Sequence, residues 1–312
     1  MSISYTGPLG LGWRRMKRVL FNPFDPAKWF IIGFTVWLAE LTDFTGSGGN
    51  GGGGARQRGG SWGEIYEGIA DRIGDVLAGG IAAALVALIL IAAILLFLIL
   101  LWLSSRGHFL FLHNLVNDRA EVREPWRRYA KQGDSLFLWR LVYTLICMVS
   151  VVPLIAFAAL SVLPIAVPNL PTGLGVAGFI FLGLVIALLL IVSLYVDFFL
   201  LHFVVPVMYK QGLRSMEAWR VFWPVLKESA WEFLLYGLFY LVLSILVGIG
   251  VALFGVLTCC VGFLLLILPV VGTTILLPVH LTLRGMDLEF LAQFGEKVDL
   301  VTLFPEKRTE AE

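Results

Sequence analysis

Long apolar runs separated by short charged segments set the pattern of this chain. Val76 to Leu103 holds no Asp, Glu, Lys or Arg in 28 positions, Leu141 to Val196 none in 56, and Phe233 to Leu283 none in 51. A transmembrane helix needs about 20 apolar residues to cross a hydrocarbon core about 30 Å thick. The first run therefore predicts one helix and each of the other two predicts a pair. The second run breaks at Pro168-Asn169-Leu170-Pro171-Thr172-Gly173, which has turn chemistry, and the third between Gly255 and Gly262. A shorter apolar stretch, Trp29 to Phe44, crosses if Glu40 and Asp43 sit at the far interface; a re-entrant helix is the competing reading. Spans are expected at 28–44, 76–103, 138–164, 174–200, 232–255 and 260–283. The fold class is an all-α membrane protein of six transmembrane helices, arranged as three hairpins.

Charge orients the hairpins, because Lys and Arg accumulate in cytoplasmic loops. With six spans, one side of the membrane carries 20 Lys and Arg and the other only Arg56, Arg58 and Arg72. If the first segment did not cross, the split would be 15 against 8. The 20-to-3 distribution favours six spans with both termini in the cytoplasm and a cytoplasmic tail over 285–312.

Between the spans lie segments of helical amphipathic spacing, expected at 9–21, 62–75, 108–131 and 212–230. Three Trp-Arg pairs (Trp13-Arg14, Trp126-Arg127 and Trp219-Arg220) each precede a Trp at the mouth of a span: Trp29, Trp139 and Trp231. The second and third copies align without a gap, 93 residues apart. Each hairpin is thus predicted to follow a cytoplasmic interfacial helix. Trp favours the headgroup region and Arg meets anionic phosphates there, so inner-leaflet lipid is the expected partner of these six residues. The outer Gly-rich loop, 45–61, is followed by an acidic amphipathic helix over 62–75, suited to docking a protein partner.

Composition agrees with the pattern: 59% of the residues are apolar and only 14% charged, against about a quarter charged in soluble domains. Met1 to Pro23 lacks the apolar core and cleavage site of a signal peptide. Cys147, Cys259 and Cys260 offer no metal or disulfide framework. Gly46-Ser47-Gly48-Gly49-Asn50-Gly51 matches a dinucleotide fingerprint in letters only, since it follows no strand and opens no βαβ unit. His108 and His113, five residues apart, project about 140° from one another on a helix and are poor joint ligands. His108, His113, His202 and His280 are therefore expected as polar interfacial residues. Asp197 closes the longest uncharged run; it is expected at the cytoplasmic edge, in a salt bridge to Arg127, Arg140 or Arg220. Small residues at Gly79, Ala83 and Ala87, and at Gly248 and Ala252, have helix-packing spacing.

The stretches Phe21-Asn22-Pro23-Phe24-Asp25-Pro26, Arg106-Gly107-His108-Phe109 and Glu124-Pro125-Trp126-Arg127 resemble an uncharacterised group of prokaryotic polytopic membrane proteins. The wider pattern is similar to the membrane domain of some glycerophosphodiester phosphodiesterases. This resemblance implies a helical bundle in a prokaryotic cytoplasmic membrane and no activity, because the soluble catalytic barrel has no room here. The expected function is non-enzymatic, in membrane organisation or lipid and partner interaction, with no cofactor, metal or nucleic acid. A secondary transporter is the alternative, and a polar cavity lined by Asp197, Thr144, Ser150 or Ser193 would favour it. A membrane enzyme would need ionisable groups such as Asp197, His202 and Glu40 to converge, and Glu40 is expected on the opposite side.

Overall fold

The computed structural model describes residues 3–43, 81–166, 172–258, 261–296 and 298–304. The Gly-rich loop 45–61, the acidic helix 62–75, the start of the second span, Cys259-Cys260 and the end of the tail lie outside them. The described residues form helices and turns, with no strand among them. In chain order these are α1 (Gly7–Phe21), α2 (Pro26–Ala39), α3 (Ile81–Asn117), α4 (Arg123–Arg128), α5 (Ala130–Ala166) and α6 (Thr172–Phe199). A π-helical turn (Leu200–Val204) then leads to α7 (Val205–Gln211), α8 (Ser215–Glu228), α9 (Ala230–Leu257), α10 (Val261–Ile267), α11 (Val271–Ile275) and α12 (Leu277–Ala292).

Among the described residues, four helical stretches are long and apolar enough to cross a membrane: Ala84–Asn117, Ala130–Ser150, Ile180–Gln211 and Ala230–Leu257. The first and last predicted spans look different. Asp25 caps α2 by accepting from the Ala27 amide at 2.9 Å, and Pro26 supplies the fixed φ of a first turn. Yet α2 has 14 residues, only about 21 Å of rise. The last segment divides into three short helices. Pro269 cannot donate to the helical ladder, Val270 adopts a positive φ of 64°, and Pro278 opens α12.

The expected surface helix over 108–131 also divides. Residues 108–117 continue α3, Asp118 turns the chain at φ 55°, and only Arg123–Arg128 forms a separate helix. Lys28 holds that turn through Asp118 at 2.8 Å.

Each long helix has two halves. In α3, Leu88 and Ile89 are exposed while Phe109, Leu112 and Leu115 are fully buried. In α6 and its continuation, Leu184 and Leu190 are exposed whereas Phe203, Val204 and Met208 are buried. In α9 the order reverses, from buried Phe233 and Tyr236 to exposed Leu246 and Leu253. The buried halves gather at one end of the bundle into an aromatic core, where Tyr236 stacks on Phe290 at 3.9 Å and Phe203 meets Phe233 at 5.0 Å.

That core also takes the apolar stripe of α1. Met16, Val19 and Leu20 are buried in protein, and Trp13 remains exposed at the rim. Among the described residues, Gly107 and Gly12 sit at close crossings, while Gly79 of the small-residue repeat lies outside them. A Cβ at Gly107 would come within 2.5 Å of the Ala39 amide nitrogen and one at Gly12 within 2.6 Å of the Thr282 carbonyl oxygen, while Gly248 faces open space.

Candidate functional site

Where the buried halves meet, they enclose a cavity of about 60 Å³ lined by ionisable side chains. The end of α2 supplies Glu40 and the loop after it Asp43; α3 supplies His108, the π-helical turn His202, α9 Tyr240, and α12 His280, Arg284 and Asp287. The π-helical turn has a local cause. Pro206 lacks the N–H that the His202 carbonyl would accept four residues earlier, so the ladder slips there.

Three histidine–carboxylate pairs organise the wall. His108 Nε2 lies 2.9 Å from Asp43 Oδ2, His202 Nδ1 2.6 Å from Asp287 Oδ2, and His280 Nδ1 2.8 Å from Glu40 Oε1. Asp43 also receives Arg140 Nη2 at 2.6 Å, and Asp287 accepts the Tyr236 hydroxyl at 2.7 Å. Burial alone would push Asp43 up, but His108 and Arg140 outweigh it and hold its carboxyl well below the usual carboxylate range. Arg284 is less well matched. Its Nη1 stands 3.8 Å from Asp287 Oδ2, and Nε and Nη2 are buried without a hydrogen-bond partner among the described residues. A buried guanidinium N–H left unpaired is costly, so these donors suit an acceptor brought in from outside.

The wall reconciles only in part with the sequence expectations. His202 and Glu40 converge on one cavity, although Glu40 was expected across the membrane. His108, His202 and His280 are buried or nearly so and each is paired with a carboxylate. Asp197 is half-buried outside the cavity lining. Arg140, one of its three expected partners, is bound to Asp43. Thr144 and Ser150 donate instead to the Arg140 and Cys147 carbonyls of their own helix. Trp13, Arg14, Arg127 and Arg220 are exposed, and Trp126 and Trp219 half-buried. Arg106 lies over the Trp102 and Trp126 rings, and Trp219 stacks on Trp139.

One signal in the sequence could have found the cavity. His108-Phe109-Leu110 and His202-Phe203-Val204 each follow the second span of a predicted hairpin, and His280-Leu281-Thr282 lies at the end of the last predicted span. The first two histidines are 94 residues apart, close to the 93 that separates two of the Trp-Arg pairs. All three histidines line the one cavity.

Comparison with known proteins adds a family. Residues 9–301 match a family of unknown function (DUF7544). The chain belongs to that family. No curated protein and no solved structure matches it, and nothing in these comparisons joins the DUF7544 chain to the phosphodiesterase membrane domain. Four helices among the described residues are compatible by length and composition with a membrane protein, and the family carries no assigned role.

Proposed function

We propose that this protein is a non-enzymatic membrane protein that binds a small anionic group, such as the phosphate of an inner-leaflet lipid, in the polar cavity at the cytoplasmic ends of its helices. The observation that carries this reading is Arg284, whose Nε and Nη2 face no partner among the described residues inside a wall of three histidines. The volume of about 60 Å³ is several times the roughly 10–15 Å³ that one water requires.

Topology supports the placement. Arg15 of α1 donates to the Leu115 and Val116 carbonyls at the end of α3, at 3.0 and 3.3 Å, and Ser4 and Gln293 exchange hydrogen bonds. Both ends of the described chain therefore share one side of the bundle, the side of the basic helices.

Purified full-length protein in detergent tests the reading by thermal unfolding with added inorganic phosphate or phosphatidylglycerol. The expected result is ligand stabilisation that Arg284→Gln removes. Stabilisation by the lipid alone identifies a headgroup, and by both a phosphate. No stabilisation, or stabilisation that Arg284→Gln leaves intact, overturns it.

A further inference from the structure

A second group of side chains lies outside the cavity, at the end of α3. His113 is 4% exposed, and its Nε2 has no hydrogen-bond partner among the described residues. Glu121 Oε2 is likewise buried and unpartnered. The His113 imidazole, Glu121 and Glu124 each bring one ligand atom into a group whose members all lie within 4.8 Å of one another. From this geometry we infer a divalent transition-metal site, for Zn²⁺ or a similar ion, with His113 Nε2, Glu121 and Glu124 as its protein ligands. It is independent of the anion cavity and shares no residue with it.

The surroundings are arranged as such a site requires. The chain returns on His113 because Asp118 adopts φ 55° and the Asn114 side chain accepts the Glu121 amide at 3.0 Å. That bond holds Glu121 beside the end of α3. Behind the ring, Nδ1 stands 3.2 Å from the Tyr209 hydroxyl. Asn117 Nδ2 is already committed to the His113 carbonyl at 3.0 Å and the Tyr209 hydroxyl at 2.9 Å. Nδ1–H can thus donate to Tyr209, which leaves the Nε2 lone pair for a metal, the tautomer that outer partners of metal-bound histidines usually enforce.

The carboxylates are held by their other edges. Glu121 Oε1 is 3.5 Å from Arg119 and Glu124 Oε1 is 3.6 Å from Arg128. Those guanidinium groups offset the charge of the two glutamates without occupying Glu121 Oε2. Tetrahedral Zn²⁺ with bonds of about 2.0 Å needs ligand atoms roughly 3.3 Å apart. From 4.8 Å this is a contraction that the exposed Glu124 side chain can supply. One His and two carboxylates leave a fourth position for water, and an open surface hollow lined by Glu121, Glu124 and Arg128 gives access.

The test uses full-length protein in detergent, stripped with EDTA and titrated with Zn²⁺ against a chromophoric chelator, and separately with Co²⁺ read by its visible absorption. One ion per chain is expected, with the band of four-coordinate Co²⁺. Glu121→Gln and Glu124→Gln should each weaken Zn²⁺ binding at least about tenfold while leaving the elution profile unchanged, since Glu124 is exposed and Glu121 half-exposed. His113→Gln should abolish binding. The proposal is overturned if the wild type binds no stoichiometric metal, or if both glutamate variants bind as the wild type does, which would place the ion elsewhere.

Discussion

Ile89 and Phe109 stand on the same uninterrupted helix, α3, yet the first is 65% exposed and the second fully buried. The apolar half owes its position to transfer out of water and asks little of its neighbours, because lipid tails solvate Leu and Ile as well as protein does. The buried half must satisfy Ser104, His108, His113 and Asn114 as well as fill space. Its cohesion therefore lies in specific pairs, and its tolerance of change should be far lower.

The largest test of that contrast is Asp43→Asn. It leaves Arg140 and His108 without their buried carboxylate, and one-sided removal of such a partner costs about 3–5 kcal/mol. The thermal midpoint, followed by tryptophan fluorescence, should fall by many degrees; a drop no larger than that of a lipid-facing substitution would erase the distinction. Acid performs the same change reversibly. Asp43 is held below the usual carboxylate range in the folded chain, so its contribution is complete above the unfolded value of about 3.9 and is lost as pH falls below it. Wild type should lose stability progressively as pH falls from about 4 toward about 2. Asp43→Asn should lose less over the same interval.

Steric substitutions sharpen the comparison further. Gly107→Ala drives a Cβ toward the Ala39 backbone and should cost about 1–3 kcal/mol. Gly248→Ala, which meets nothing within 4 Å, should instead stabilise by about 0.5–1 kcal/mol through helix propensity. Equal effects at the two glycines would show that the crossing of α2 and α3 is looser than described. The smallest change is expected for Ile89→Val, within about 0.5 kcal/mol of wild type, read from the same unfolding curves.

Much of the bundle was legible beforehand because hydrocarbon thickness imposes a length on any crossing helix. The runs around Leu88, Leu190 and Leu246 could be counted without knowing what they touch. The division of the last segment was harder to read. Pro269 and Pro278 were visible, but a proline kinks or breaks a helix according to the neighbours that can satisfy the freed carbonyl groups. The surface helices were legible as amphipathic, yet the stripe of Met16 and Leu20 reads alike whether it meets lipid or protein. The cavity was hidden for a different reason. Glu40 and His280, or His202 and Asp287, are far apart in the chain, and no local periodicity links an acid to its base.

The sequence by itself determined the membrane class, the long apolar runs and the asymmetry of positive charge, since each follows from composition within a window no longer than a span; it predicted six spans where four helices among the described residues are long and apolar enough. Only the tertiary structure decided that three histidines share one cavity, that α1 faces protein, and that His113 meets two glutamates across a turn. Ion pairs and ligand sets depend on distances of a few ångströms between distant segments, and those distances exist only once the buried halves have packed.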